Sequence, residues 1–376
     1  MKKDWQIKKL KDICDKGSSN VNIKDLDKLD GKFPIYGASG FIKNVNFYHQ
    51  EKEYIGIIKD GSGIGRTMLL PPKSSVIGTI QYILPKENNS IHFINYALQS
   101  LDLAKYKQGA AIPHIYFRDY GETELVVPPL AEQERIVKIL DQKFAQIDAL
   151  KQNAETNLNN AKALFQSELE KAFSNTEWEN MRLGDLCEII TGPFGSSIHK
   201  SDYVENGIPM INPQNIINNR MIPLAKCLVS NEAAMRLTKY KLKNQDIVIA
   251  RRGEMGRCAV VTEAEIDWLC GTGSFIIRPN SKKTVSVYLQ RYLSSAKTKK
   301  ELEKQSIGAT MSNLNQGILS AIEIPLPPLE EQKRIVAHLD SLSEKVHQLE
   351  EIYTKQLVAC DELKQSFLQK AFAGEL

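Results

Sequence analysis

A chain of 376 residues is long for a single core, and at roughly 150 residues per domain it is expected to hold two globular units with connecting material. Its 49 Lys and Arg against 45 Asp and Glu leave a net charge of +4, a mild lean toward a polyanionic partner. No run of eighteen apolar residues occurs, which excludes a membrane-spanning helix, and the start MKKDWQIKKL lacks the apolar stretch of a secretory signal, so a cytoplasmic protein with no membrane partner is expected. The six cysteines have no C-x-x-C spacing, and in a chain of this length they read as reduced, mostly buried thiols.

In chain order, the first readable element is YIGIIKDGSGIGRTMLLPP, Tyr54 to Pro72. An apolar run, a glycine-rich turn and a second apolar run predict strand, turn, strand. Gly61, Gly63 and Gly65 follow the pattern G-x-G-x-G and meet Pro71-Pro72 within six residues. A dinucleotide loop needs G-x-G-x-x-G opening a helix, so no nucleotide cofactor is expected. The loop QGAAIPHIYFRD, Gln108 to Asp119, follows shortly before Pro128.

From Pro128 the sequence PPLAEQERIVKILD opens a helix. Proline suits a helix start, and Glu132 and Glu134 suit the positive end of the helix dipole. Leu140, Phe144, Ile147, Ala154, Leu158, Ala161, Phe165 and Ala172 then recur in steps of three and four. The second half repeats this plan. Its own hairpin signal is DIVIARRGEMGRCAVV, Asp246 to Val261, its loop before the helix is IGATMSNLNQG, Ile307 to Gly317, and its helix opens with PPLEEQKRIVAHLD at Pro327. Here the apolar set is Leu339, Leu342, Val346, Leu349, Tyr353, Cys360, Leu363 and Phe367.

Pro128 and Pro327 lie 199 residues apart, and the same offset relates LFQSELEKAF from Leu164 to LKQSFLQKAF from Leu363. Near the block starts, Trp5 and Trp178 lie 173 apart, so the middle of the second half is longer by 26 residues. A duplicated unit of this kind decides the architecture. Variable blocks at 1–127 and 175–326 alternate with similar helical blocks at 128–174 and 327–376. Each helix can run for about 44 residues, or about 65 Å. The two are each other's natural coiled-coil partners. The fold class expected is α+β: two globular heads, each a small sheet with flanking helices, separated by two long antiparallel helices under a pseudo-twofold internal repeat.

Two variable blocks, each followed by Pro-Pro-Leu-x-Glu-Gln-x-Arg-Ile-Val, and the stretch LKQSFLQKAFAGEL from Leu363 to Leu376 resemble the specificity subunit of type I restriction-modification systems across the whole chain. The resemblance implies two target recognition domains, each reading half of a split sequence in double-stranded DNA. It further implies helices that set the unread spacer and dock methyltransferase subunits, restriction subunits that join the complex, and no active site on this chain.

Under that resemblance the glycine-rich turns become DNA-facing loops. Glycine allows close backbone approach, and arginine donates bidentate bonds to guanine or grips phosphate. The DNA-binding candidates in the first head are Lys59, Ser62, Arg66, Lys107, His114 and Arg118. Those in the second are Arg251, Arg252, Arg257, Thr310, Asn313 and Asn315. The bland alternatives are solvated charges on a tight hairpin and, for the loops before the helices, anchorage of the head. Lys239, Lys241, Lys243, Lys297, Lys299 and Lys300 read as solvated faces with at most phosphate contacts.

No catalytic residue and no metal are expected: the six histidines have no H-E-x-x-H spacing, and no Walker loop is present. The rival readings are a specificity subunit of another modification system and a coiled-coil adaptor that does not bind DNA. The adaptor would be insensitive to salt, whereas phosphate contacts make binding fall steeply with it.

Overall fold

The computed structural model describes residues 4–109, 112–305 and 313–376. By internal packing the chain forms two compact units, one of residues 1–155 with 354–376 and one of residues 156–353.

In the first unit the central strand Tyr54–Ile58 is buried at all five positions. Its uninterrupted apolar sequence suits a strand covered on both faces. It pairs antiparallel with Ile80–Pro85 and Thr67–Leu70, and Cys14–Ser18 completes a four-stranded antiparallel sheet. A second sheet joins Phe33–Gly37 antiparallel to Gly40–Val45 and parallel to Ser75–Val76. The strand Gln6–Lys9 pairs with Glu124–Val127, tying the start of the head to its end just before Pro128.

The second unit repeats each of these sheets. Cys187–Thr191, Ser274–Pro279, Ile247–Ala250 and Cys258–Val260 lie in the same order with the same antiparallel pairing. Tyr203–Ile211 pairs antiparallel with Leu228–Val229 and parallel with Leu269–Cys270. Asn180–Arg182 pairs with Glu323–Pro325. An additional hairpin, Ile216–Ile217 with Arg220–Met221, sits in the longer middle of this half. Its tip residues Asn218 and Asn219 have φ of 49° and 60°, the left-handed pair that a two-residue hairpin turn requires and that asparagine tolerates.

The predicted helices form as Leu130–Ala172 and Leu329–Ala373, 43 and 45 residues long. Within the first unit, Lys151 reaches Asp361 at 2.7 Å and Lys364 pairs with Asp148, a register in which rising numbers on one helix meet falling numbers on the other. Within the second unit, Leu169 and Phe173 share a core with Ile335 and Leu339, again late residues of one helix against early residues of the other.

Ile136, Leu140, Phe144 and Ile147 are buried in the first unit's core with the sheet residues Ile55, Ile57 and Ile83. Leu349 and Leu363, which the heptad reading counts in the seam, are 36% and 43% exposed. Leu368 and Ala371 are buried instead, at 2% and 0%. The division into units falls inside both helices, because each half-helix is packed into the core of a head.

Candidate nucleic-acid interface

The loop from Lys59 to Arg66 joins two strands of the first head's main sheet. Gly61, Gly63 and Gly65 have φ of 85°, 90° and 83°, a region that costs other residues free energy. A Cβ on Gly65 would also lie 3.0 Å from Leu103 Cβ, so the loop is laid closely on the turn behind it.

Gln108 and residues 113–115, which the sequence places far from this loop, pack along it. Ile115 N–H donates to Lys59 O at 2.9 Å and Gly61 N–H to Pro113 O at 3.0 Å. Gln108 and His114 exchange two main-chain bonds of 2.8 Å, and His114 Nδ1 lies 2.6 Å from Asp60 Oδ1.

Two of these contacts recur among the described residues of the second head. Leu314 N–H donates to Arg251 O at 2.9 Å, and Arg252 Nε donates to Asn313 Oδ1 at 3.0 Å. His114 and Asn313 lie 199 residues apart, as do Ile115 and Leu314, so the repeat extends into the site itself.

The candidate side chains separate into those presented outward and those committed inward. In the first head, Ser62, Arg66 and Lys107 are exposed and Lys59 is half-buried. Arg66 folds back to donate to Gly63 O and Ala38 O, both at 3.3 Å. The His114 ring stacks on Tyr116 with centroids 6.4 Å apart and 23° between planes, and the Arg118 guanidinium lies 4.7 Å from the Tyr116 ring centre.

Residues 114, 116 and 118 thus form one stack, with Tyr116 43% exposed at its centre. Tyr116 is absent from the candidates named above. Tyr116 is extended and precedes the short helix Phe117–Tyr120, which holds Arg118, so the three side chains meet where extended chain turns into helix and no single period in the sequence marks them.

In the second head, Arg252 is exposed and braced through Nε, leaving its terminal amines outside that bond. Arg251 is half-buried over the Phe275 ring at 5.5 Å, and burial first, then the neighbouring Arg252, lowers its pKa from the ordinary arginine value.

Arg257 turns inward, donating to Pro213 O at 3.2 Å and to Glu254 Oε2 at 2.7 Å. Lys299 also reaches Glu254, at 3.1 Å, and the bonds from Arg257 and then Lys299 hold that carboxyl below the usual glutamate range. Asn315 Oδ1 accepts Ile318 N–H at 2.9 Å and caps the short helix Gln316–Ser320. Thr310 lies outside the described residues.

Among the described residues, no three His, Cys, Asp or Glu side chains gather as a metal site, and no helix is long and apolar enough to cross a membrane. All six cysteines are free and buried.

The model of the type I restriction modification DNA specificity domain matches residues 2–160 and again residues 175–357. The chain belongs to this family. Each of its two specificity domains carries one copy of the paired loops described above. The specificity subunit of the MjaVIII type I restriction enzyme of Methanocaldococcus jannaschii is 25% identical over 409 aligned positions, covering 99% of this chain and 93% of that protein. The EcoBI specificity subunit of Escherichia coli is 26% identical over 70% of this chain and 61% of its own length.

Among solved structures, a chain of a type I R-M system covers the whole protein with a TM-score of 0.76 at 21% identity, including 99% of that chain. The HsdS subunit of Thermoanaerobacter tengcongensis also covers it fully, and 98% of that chain, with a TM-score of 0.56 at 20% identity. These likenesses concern the fold.

Each specificity domain is held to its long helix by the glutamine of its Pro-Pro-Leu-x-Glu-Gln motif. Gln133 donates to Pro128 O at 2.9 Å, and Gln332 donates to Pro327 O at 2.9 Å and to Lys283 O at 3.1 Å. The aspartate that closes each motif reaches the head as well: Tyr96 donates to Asp141, and Arg291 donates to Asp340 at 2.7 Å. Sequence reading used the motif to mark a helix start and missed its role in positioning the domain.

Proposed function

We propose that each specificity domain reads one half of a split sequence in double-stranded DNA through its glycine-rich hairpin and the segment paired with it. On this reading the two long helices serve as the spacer. The chain has no active site of its own, and in the cytoplasm it directs partner methyltransferase and restriction subunits, which supply methyl transfer and cleavage.

The observation that carries this reading is one backbone arrangement made twice with different side chains. The first domain presents Lys59, Ser62 and the His114–Tyr116–Arg118 stack, whereas the second presents Arg252 braced by Asn313. A shared scaffold under different donors is what two unlike half-sites require, because phosphate contacts position a protein and base contacts specify. Arg252 has the geometry of a guanine reader, with its terminal amines outside the bond to Asn313. Lys59, Arg66 and Lys107 suit the phosphate backbone.

The test is methylome sequencing of a host carrying this chain with a methyltransferase partner, against the same host with the chain deleted. A split adenine-methylated motif present in the first and lost in the second is expected. An unchanged methylome would contradict the proposal.

A further inference from the structure

The internal repeat places one feature in both units, filled in the first and open in the second. In the first unit, Arg135 clamps Glu132 with bonds of 2.6 and 2.9 Å and donates a third, of 2.7 Å, to the main-chain oxygen of Leu376. The Leu376 side chain packs against the core that contains Trp5, and a Cβ on Gly374 would lie 3.6 Å from the Trp5 ring. Arg135 is 44% exposed under this cover.

In the second unit, 199 residues on, Arg334 clamps Glu331 in the same way, at 2.8 and 2.7 Å. Trp178 takes the sequence position of Trp5. The residues that match Gly374–Leu376 are Asn175–Glu177, and there the chain runs on toward Trp178 and the second head. A groove of about 530 Å³ is left between Trp178, Ala172, Ile335, Arg334 and His338, with Asn175 at its edge. The Arg334 side chain is 78% exposed.

We propose that this groove binds a segment of a partner polypeptide in the manner in which Leu376 is held in the first unit. A leucine-sized side chain would enter between Trp178 and Ile335, and the main-chain oxygen beside it would accept from Arg334. The occupant is a different polypeptide and not a second copy of this chain, because each copy's Leu376 is already engaged by its own Arg135. The apolar wall supplies affinity, and the single guanidinium, already oriented by Glu331, fixes the direction of the bound backbone.

The probe is a fluorescein-labelled synthetic peptide with the sequence of Lys370–Leu376, KAFAGEL, titrated with the full chain by fluorescence anisotropy. The expected result is saturable binding, weakened at least tenfold by Arg334→Glu and unchanged by Arg135→Glu. To separate loss of the contact from a disturbed fold in Arg334→Glu, a peptide ending in alanine in place of leucine is titrated against the unaltered chain and is expected to bind at least tenfold more weakly. Absence of saturable binding, equal binding of the two peptides, or loss with Arg135→Glu alone would overturn the proposal. So would light scattering that showed a dimer abolished by deleting Gly374–Leu376, since that would make a second copy the occupant.

Discussion

Gln133 Oε1 accepts the main-chain N–H of Ser90 at 2.8 Å, and Gln332 Oε1 accepts that of Val285 at 2.9 Å. Ser90 and Val285 are the residues immediately before the helices Ile91–Gln99 and Ser286–Leu293, one in each head. The long helix and the head's packing helix are therefore joined at their starts by one fully buried amide, with Gln133 1% and Gln332 0% exposed.

Replacing Gln332 by alanine leaves the Val285 N–H, the Thr284 hydroxyl and two carbonyls without this partner. Each stranded buried group costs about 1–3 kcal/mol, partly recovered by relaxation. Gln332→Ala is therefore expected to destabilise the second unit by about 2–4 kcal/mol. Urea unfolding followed by tryptophan fluorescence checks this, and a midpoint within error of the unaltered chain would contradict it.

Arg252 and Arg257 are near neighbours with opposite expectations. Arg252→Ala is expected to weaken DNA binding by about 1–3 kcal/mol and to relax one position of one half-site. Arg257 holds Pro213 O and Glu254 inside the domain, so Arg257→Ala should loosen the hairpin and lower stability without relaxing a single base position. Competition with duplexes carrying one substitution each separates the two cases. Equal loss on every duplex with Arg252→Ala would make Arg252 a phosphate contact instead.

Glu254 restrains two cations, and its carboxyl is held below the usual glutamate range by Arg257 and then Lys299. With the folded value depressed, the carboxylate's contribution to hairpin stability is present above the ordinary glutamate range and is lost as the pH falls through the folded value. Glu254→Gln mimics the protonated state at neutral pH and removes the negative charge that offsets Arg257 and Lys299. Affinity for non-cognate duplex is expected to rise and its salt dependence to steepen, by up to about one unit of log–log slope per added phosphate contact. An unchanged slope would show that Arg257 and Lys299 do not reach the backbone.

Burial pushes the thiols of Cys14, Cys187 and Cys258 up to about 12 from an ordinary 9.0. These groups stay neutral in the folded protein where the unfolded chain would ionise them. Their stabilising effect is complete below pH 9.0 and lost as the pH rises toward about 12. All six cysteines are buried, so slow reaction with a thiol reagent at pH 8 and full reaction after denaturation are expected. Rapid labelling of the native protein would contradict the burial.

Much of this architecture is legible in the sequence, since a duplicated Pro-Pro-Leu helix start, a three-four apolar repeat and paired glycine hairpins are local signals. The buried Tyr54–Ile58 strand and the two uninterrupted helices follow from them directly. What escapes is set by partners distant in sequence. Arg257 reads as outward because Pro213 and Lys299, toward which it and Glu254 turn, lie 44 and 42 residues away in sequence. Leu349 and Leu363 fit the heptad pattern yet remain exposed, because the half-helices bury the faces that the heads cover. The pairing of Asp60 with His114 spans 54 residues, beyond any local pattern.

The most direct measurement is methylome sequencing of a host in which the Arg251–Arg257 loop of the second domain is replaced by the corresponding loop of a relative with a different target. One half of the methylated motif is expected to change while the other half and the spacer length stay as they were. A change in both halves, or in the spacer alone, would contradict the assignment of one half-site to each domain.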